Sequence, residues 1–258
     1  MDLALRHKLV LITGGSKGIG FACAQAFLAE GARVAIVGRE HTTLDAALAR
    51  LPGATGFAAD LREAEAAGAM VAAVERALGG IDVLVNSAGA AKRTPAPELS
   101  PMAWRAAMDA KYFTTINVAD LVIKLMAQRG SGVIINIIGA GGKQASAIHL
   151  PGGAANAALM LATVGLANAY AAKNVRVIGI NPGLTETDRF IEGLAADARA
   201  SGLSMAEARD RAIARIPLGR LAKPAEIAQA VLFLASDQAS YITGVNISMD
   251  GATSPVVV

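Results

Sequence analysis

A glycine-rich stretch near the N-terminus is the first part of the chain whose residue types suggest chemistry. The stretch Thr13-Gly14-Gly15-Ser16-Lys17-Gly18-Ile19-Gly20 separates an apolar run from a helix-like run. Glycine lets the backbone turn tightly, and free N–H groups at a helix start attract phosphate. We therefore expect a dinucleotide diphosphate here, the alternative being a tight turn without a ligand. The residues expected to contact it are Gly14, Ser16, Lys17, Gly18, Ile19 and Gly20.

The end of the second strand-like run indicates which dinucleotide would bind. A carboxylate there would accept the ribose hydroxyls of NAD and repel a 2′-phosphate. This chain instead reads Ile36-Val37-Gly38-Arg39, and the planar guanidinium of Arg39 suits a phosphate. Lys17 adds a second positive charge. We predict NADP(H) in preference to NAD(H), unless both residues are solvated surface cations.

The elements that must position these residues alternate along the chain. Most strand-like runs are apolar without alternation, which is typical of strands covered on both faces. Strands that alternate with helices favour a parallel, doubly wound α/β sheet. The predicted strands are Leu9–Thr13, Arg33–Val37, Thr55–Ala58, Asp82–Val85, Gly132–Ile137, Arg176–Ile180 and Val245–Met249. The predicted helices are Ile19–Glu30, Thr42–Leu51, Glu63–Leu78, Pro101–Gln128, Gly153–Ala172 and Pro224–Ala235. We expect a single Rossmann domain over residues 1–258, with seven parallel strands and helices on both faces.

Composition narrows the class of protein. Of 258 residues 53% are hydrophobic and 17% charged, which is enough apolar material for a large core. The basic residues are scattered and aromatic residues make up 4%, so we expect no nucleic-acid partner. The single cysteine, Cys23, cannot form an internal disulfide. Three histidines far apart and one cysteine give no metal-ligand cluster, so no metal site is predicted.

Two segments bear on localisation. The N-terminal residues Met1–Lys8 run into the first strand without the apolar region of a signal peptide. The stretch Ala154–Ala172 carries no charge, but it contains Asn156 and Asn168 and a strand follows at once. We expect a buried or subunit-interface helix rather than a membrane span, and hence a cytoplasmic protein.

The spacing Thr-Gly-x-x-x-Gly-x-Gly resembles that of the short-chain dehydrogenase/reductase family, and the resemblance covers nearly the whole chain. Asp60-Leu61 stands where the family contacts adenine, and Asn86-Ser87-Ala88-Gly89 is similar to the family's Asn-Asn-Ala-Gly. Asn181-Pro182-Gly183 with Thr187 resembles the turn that flanks nicotinamide. The resemblance thus implies further cofactor-binding residues. These are Asp60, Leu61, Asn86, Ala88, Gly89, Pro182, Gly183 and Thr187.

Members of this family that reduce carbonyls usually carry a catalytic Asn, Ser, Tyr and Lys. Local context aligns these four with Lys111, Gly139, Gly152 and Asn156. The family's separation of 13 residues between Ser and Tyr is kept between Gly139 and Gly152. The resemblance therefore implies a divergent member with an atypical active site, and it argues against a tyrosine mechanism.

Lys111 and His149 are the candidates to replace the missing groups. His149 lies three residues before Gly152, and imidazole, with an ordinary pKa of about 6.5, is suited to proton transfer. A desolvated lysine at position 111 could act as an acid, a base or an oxyanion partner. The alternatives are a histidine in solvent and a structural lysine that bonds backbone carbonyls or Asn136. Lys143 could meet an anionic substrate or lie on the surface.

Other residues near these positions suggest a substrate pocket and a lid, while the tyrosines are expected only to pack. The glycines of Gly139–Gly142 and Gly152-Gly153 suggest room for a substrate and backbone N–H groups for an oxyanion. The charged segment Leu184–Ile216 is a candidate lid, because segments that leave the carboxyl ends of strands surround the ligand crevice. The tyrosines that remain are expected to be packing residues. They are Tyr112, Tyr170 and Tyr241.

Three functions stay open at this stage. The first is an NADP(H)-dependent oxidoreductase that acts on a small carbonyl or hydroxyl compound with non-standard catalytic residues. The second is a non-redox enzyme, such as a lyase, isomerase or hydratase, and the third is a catalytically inactive nucleotide-binding protein. By resemblance, the helices Pro101–Gln128 and Gly153–Ala172 would form the contacts of a homotetramer or homodimer.

Overall fold

In the computed structural model, which describes residues 2–89 and 91–256, seven strands form one parallel sheet in the order β3-β2-β1-β4-β5-β6-β7. The strands are β1 (Leu9–Thr13), β2 (Arg33–Gly38), β3 (Thr55–Ala58), β4 (Val83–Asn86), β5 (Gly132–Ile137), β6 (Val175–Pro182) and β7 (Asn246–Met249). The strand order reverses between β1 and β4, and a ligand crevice forms at such a switch point, beyond the carboxyl ends of the strands. The predicted doubly wound sheet is confirmed.

Helices connect the strands on both faces of the sheet. They are α1 (Gly18–Ala29), α2 (His41–Leu48), α3 (Ala64–Leu78), α4 (Pro101–Ala107), α5 (Thr114–Arg129), α6 (Leu150–Tyr170), α7 (Asp188–Ser201), α8 (Met205–Ile213) and α9 (Pro224–Ala235). The predicted helix Pro101–Gln128 differs most from the observed one, because a π-helical segment, Met108–Phe113, separates α4 from α5. Helix α6 begins three residues earlier than predicted, because Pro151 is tolerated in a first helical turn.

The first strand shows why the strands lack an alternating pattern. All five residues of β1 are buried. Val10 and Ile12 face a cluster that includes Phe27 of α1. Leu9 and Leu11 face the other cluster, which is formed with α3 and α5. Because both faces of β1 are covered, an apolar residue is favoured at every position.

Helix α6 is long and apolar enough, by length and composition, to cross a membrane, with a mean hydropathy of 1.4. It packs against β6 in the structure. Its buried residues Leu159, Thr163 and Ala167 recur every four residues along one face, whereas Leu161 and Val164 are exposed. The helix thus has one face packed on the sheet, in line with the expected buried helix, and one apolar face that is exposed.

A chain of buried polar side chains joins the ends of two central strands to α6. The Asn86 amide Nδ2 donates to Oδ1 of Asn136 at 3.0 Å. Asn136 Nδ2 donates to the Thr163 hydroxyl at 2.9 Å, and that hydroxyl donates to the Leu159 carbonyl at 2.7 Å. Since buried polar groups without partners are costly, these bonds fix how β4, β5 and α6 meet.

Replacing Asn136 with alanine removes the middle of this polar chain. Because Asn86 and Thr163 would then be buried without that partner, we expect the free energy of unfolding to fall by about 2–4 kcal/mol, as measured by urea denaturation. The control is Gln128→Ala, which removes an exposed amide and should change stability by less than about 0.5 kcal/mol. Equal stability of the two variants would show that the polar chain does not hold the strand ends together.

Candidate active site

The turn after β1 and the loop after β4 lie in direct contact at the switch point. Gly14 has a φ of +66°, and a Cβ atom there would lie 2.8 Å from the Cα atom of Ala88. The Thr13 hydroxyl accepts hydrogen bonds from the N–H groups of Ser87 and Ala88, at 3.1 and 3.2 Å. Glycine at position 14 is therefore required both by the backbone conformation and by this close approach.

Helix α1 begins inside the glycine-rich turn with an open N-terminus. Lys17 precedes the helix in an extended conformation, and no side chain caps the first turn. A Cβ atom on Gly20 would lie 2.4 Å from the carbonyl oxygen of Gly14, so the start of the helix packs directly on the turn. The turn has the form expected of a diphosphate cradle: backbone N–H groups without a competing side-chain acceptor.

The end of β2 lies next to the same turn. A Cβ atom on Gly38 would be 3.4 Å from the Ser16 hydroxyl, so Ser16 and the neighbouring Arg39 border one surface. Arg39 is exposed. The Arg62 side chain, with a smaller contribution from Arg39, lowers the pKa of Asp60 to about 2. Asp60 is thus ionised and paired with Arg62 at this edge of the crevice.

Lys111 lies in the π-helical segment, next to the loop after β4. Its Nζ atom donates to the Ile138 carbonyl at 3.2 Å. A Cβ atom on Gly89 would lie 3.4 Å from the Cα atom of Lys111, so the lysine packs against the loop after β4. Burial, with a contribution from Arg189, lowers the pKa of Lys111 to about 8. The sequence left open that Lys111 bonds backbone carbonyls or Asn136. In the structure Lys111 bonds a backbone carbonyl and not Asn136.

The imidazole of His149 lies directly over Gly152. A Cβ atom on Gly152 would lie 2.2 Å from Cε1 and 2.5 Å from Nε2 of His149. Burial, followed by the charges of Lys111, Arg93 and Arg189, lowers the pKa of His149 to about 4. Its Nδ1 atom is buried and makes no hydrogen bond within the described part of the chain. His149 is therefore a loop residue at the start of α6 whose imidazole is partly buried against Gly152 rather than free in solvent.

Two buried asparagines near the crevice have unused polar atoms. Asn156 donates weakly to the Gly139 carbonyl, at 3.4 Å, while its Oδ1 atom has no partner in residues 2–89 and 91–256. Asn181, at the end of β6, is fully buried, and both of its amide atoms are unpaired within those residues. An unpaired buried polar atom costs about 1–3 kcal/mol, so a ligand or water that bonds to it would recover free energy. Asn181 belongs to the Asn181-Pro182-Gly183 motif noted in the sequence, but that motif does not show that its amide is buried without partners among the described residues.

The glycines after β5 do not leave the room expected for a substrate. A Cβ atom on Gly142 would lie 2.7 Å from the amide nitrogen of Ala157. A Cβ atom on Gly153 would lie 2.8 Å from the carbonyl oxygen of Gly141. The loop is rich in glycine because its backbone packs closely on the start of α6. The expectation of an open pocket lined by these glycines is therefore wrong.

Lys143 lies at the far side of that loop. Its ammonium group donates to the Asn246 carbonyl at 3.1 Å and to the Ser248 hydroxyl at 3.3 Å. Both acceptors belong to β7, so Lys143 fixes the glycine-rich loop to the last strand. These two hydrogen bonds explain why a lysine stands at position 143, and no anionic ligand is needed to explain it.

The three tyrosines differ in their surroundings. Tyr112 packs beside Ile138 and Leu159, and Tyr170 packs against the core cluster formed with α3 and α5. These two are packing residues, as expected. Tyr241 is 102% exposed, so its expected packing role is wrong.

The segment after β6 returns to the glycine turn before it forms the two helices α7 and α8. A Cβ atom on Gly183 would lie 2.8 Å from the Cα atom of Asp250, which places Pro182-Gly183 against the end of β7. The Thr187 hydroxyl caps α7 by accepting from the Phe190 N–H at 3.3 Å. The methyl carbon of Thr187 would lie 3.3 Å from a Cβ atom on Gly18. The start of α7 therefore faces the start of α1.

Arg189 joins this segment to the loop after β4. Its guanidinium donates to the carbonyls of Gly89 and Ala91, at 3.0 and 3.2 Å. Arg189 lies outside every motif noted in the sequence above. In the sequence, the sign of a special role is a positive charge in an unfavourable place. Arg189 lies in the first turn of a helix that Thr187 caps, where the helix dipole disfavours a cation.

Comparisons with known proteins cover nearly the whole chain. Residues 14–253 match the family model described as enoyl-(acyl carrier protein) reductase. The chain is 34% identical over 262 residues to a 3alpha-hydroxysteroid dehydrogenase of Mediterraneibacter gnavus, across 98% of this chain and 99% of that protein.

Solved structures of the same fold include two that contain NADPH. The structure of L-sorbose reductase from Gluconobacter frateurii, complexed with NADPH and L-sorbose, has a TM-score of 0.93 and 29% identity and covers 100% of both chains. A variant of actinorhodin polyketide ketoreductase with NADPH has a TM-score of 0.93 and 30% identity, over 96% of this chain and 97% of that one. With the parallel sheet and the glycine turn described above, these matches establish that the chain belongs to the short-chain dehydrogenase/reductase family of oxidoreductases.

Proposed function

We propose that this protein is an NADP(H)-dependent oxidoreductase that interconverts a small carbonyl compound and its alcohol, with Lys111 and His149 in place of the family's usual catalytic groups. The observation that carries the proposal is the imidazole of His149 over Gly152, close enough to Lys111 to be influenced by its charge. The proposal thus has the His149 imidazole beside the position aligned with the family's tyrosine, and the Lys111 amine at the position aligned with its asparagine.

The residues at the carboxyl edge of the sheet fit a dinucleotide. The uncapped start of α1 offers N–H groups to a diphosphate, and Pro182-Gly183 stands at the expected nicotinamide position, against the end of β7. Ser16, Arg39 and Lys17 fit a 2′-phosphate, so NADP(H) is preferred over NAD(H). When bound, NADPH supplies the hydride. The NADPH in the two similar solved structures supports this assignment.

The remaining expected cofactor contacts follow from the same placement. The proposed dinucleotide contacts are Gly14, Gly18, Ile19, Gly20, Asp60, Leu61, Asn86, Ala88, Gly89, Pro182, Gly183 and Thr187. Asn86 would act by holding the loop after β4 in position, since its amide is bonded to Asn136.

The two nitrogen groups have different protonation states at neutral pH. With a pKa of about 8, Lys111 is mostly protonated and can donate a proton to the developing alkoxide oxygen. With a pKa of about 4, His149 is neutral, and only about one molecule in a thousand carries its proton at pH 7. Lys111 is therefore the proton donor in the direction of reduction, while neutral His149 orients the substrate oxygen by a hydrogen bond.

Assembly and localisation remain proposals. Exposed apolar side chains lie on the helices through which family members are expected to associate, among them Met102, Phe113, Leu161 and Val164. A homotetramer or homodimer would cover them. We propose such an assembly, in the cytoplasm.

The reaction is tested by following NADPH absorbance with purified protein and a panel of aldehydes and ketones. Lys111→Ala should lower the rate by about 10²–10⁴-fold, because the positioned acid is lost, and should leave the NADPH dissociation constant unchanged. His149→Ala should raise KM more than it lowers kcat, because an orienting hydrogen bond is lost. The control Lys124→Ala removes an exposed lysine of α5 and should have no effect. Tight NADPH binding without oxidation by any carbonyl would contradict the proposal.

The pH dependence tests the identity of the acid. Because the pKa of Lys111 is about 8, the protonated amine is lost above that pH, and kcat/KM for reduction should fall about tenfold per pH unit there. In Lys111→Arg the guanidinium stays protonated, so any remaining activity should lose this decline. A wild-type profile that stays level up to about pH 10 would exclude Lys111 as the acid.

The cofactor preference is tested at the end of β2. Arg39→Ala should raise the NADPH dissociation constant about tenfold or more, because a charge-assisted bond to the 2′-phosphate is lost, and should leave the NADH constant unchanged. Arg33→Ala, at the exposed start of the same strand, is the matched control. Both constants can be measured by cofactor fluorescence. If Arg39→Ala and Arg33→Ala bind NADPH equally well, the 2′-phosphate assignment fails.

A further inference from the structure

Positive charge accumulates around the crevice beside His149. Arg93, Lys111 and Arg189 all lie close enough to the imidazole for their charges to act on it. None of the three takes part in an ion pair within residues 2–89 and 91–256. The proposed reaction needs one proton donor, so it does not account for the two arginines.

Arg189 is held where the local structure opposes a cation. It is the second residue of α7, where the helix dipole makes a positive charge unfavourable by about 0.3–1 kcal/mol. Its guanidinium is turned toward the carbonyls of Gly89 and Ala91. Although the residue keeps exposed surface, burial and the charge of Arg93 lower the pKa of Arg189, and Glu192 opposes that shift. The charge of Glu192 acts on Arg189, but within residues 2–89 and 91–256 the two side chains form no ion pair.

Arg93 reaches the same place from another element. Its guanidinium carbon would lie 3.7 Å from a Cβ atom on Gly193, so the exposed side chain lies along α7. The next residue, Thr94, donates its N–H to the Ile148 carbonyl at 3.0 Å. Arg93 therefore belongs to a loop that is paired with the segment carrying His149. The two arginines approach the crevice from α7 and from the loop after β4.

We propose that Arg93 and Arg189 bind an anionic group of the substrate, a carboxylate or a phosphate, and thereby present its carbonyl to Lys111 and His149. The catalytic half of this statement rests on the proposed function. The guanidinium of Arg189 has N–H groups beyond the two used on carbonyls, and its planar fork matches both anions. An anion there would neutralise charges that are otherwise adjacent and unpaired, which a neutral substrate could not do.

The test compares matched charged and neutral compounds by titration calorimetry on the NADPH complex. The pairs are acetoacetate with its methyl ester, and dihydroxyacetone phosphate with dihydroxyacetone. At least one anion should bind about tenfold or more tightly than its neutral partner, and the pair that shows this preference identifies the anion as carboxylate or phosphate. Arg93→Gln and Arg189→Gln should each weaken binding of that anion about tenfold and leave the neutral partner and NADPH unaffected.

The controls separate this proposal from the others. Arg199→Gln removes an exposed charge from the last turn of the same helix and should bind the anion as the wild type does. Arg93 is exposed, so its variant serves even if Arg189→Gln fails to fold. If neither anion binds more tightly than its neutral partner, the proposal is overturned, whether all four compounds bind or none does. It is also overturned if Arg189→Gln loses affinity for NADPH and for nothing else. Anion binding without NADPH oxidation would contradict the proposed oxidoreductase and leave the anion site standing.

Discussion

Close contact between backbones at the carboxyl ends of β1 and β4 is the constraint on which the site depends. The Thr13 hydroxyl holds two N–H groups of the loop after β4, and Gly14 leaves no space between that loop and the turn. The amides of Asn86 and Asn136 extend this contact to β5 and α6. The crevice therefore rests on strands whose ends cannot shift independently, which is what a preorganised site requires.

A second constraint is that two neighbouring positions compete for the same space. A side chain at position 152 and the imidazole of His149 would need the same space, because a Cβ atom on Gly152 falls within 2.5 Å of two ring atoms. A larger residue at position 152 would therefore require the imidazole to move. In the proposed mechanism this pair matters, because the imidazole that fills the space beside Gly152 would bond to the substrate oxygen.

Burial and charge then set the protonation of the site. Lys111 and His149 both have lowered pKa values, since removal from water disfavours their charged forms and the neighbouring arginines repel a further proton. The shift leaves an amine that can release its proton near neutral pH and an imidazole that is neutral there. Perturbed groups of this kind gather at functional sites, because a structure gains no stability from unpaired like charges.

The sequence by itself determined the order of strands and helices, the glycine turn and the family, because each depends on residue types close together in the chain. It also singled out Lys111 and His149 as candidates, by their distance from family motifs, and their roles stay a proposal. Only the tertiary structure decided that the glycines after β5 are packed closely, that His149 covers Gly152, and that Arg189 bonds to the Gly89 carbonyl 100 residues away. Such contacts arise where separate strands end at one edge of the sheet, and no local pattern encodes which side chains meet there.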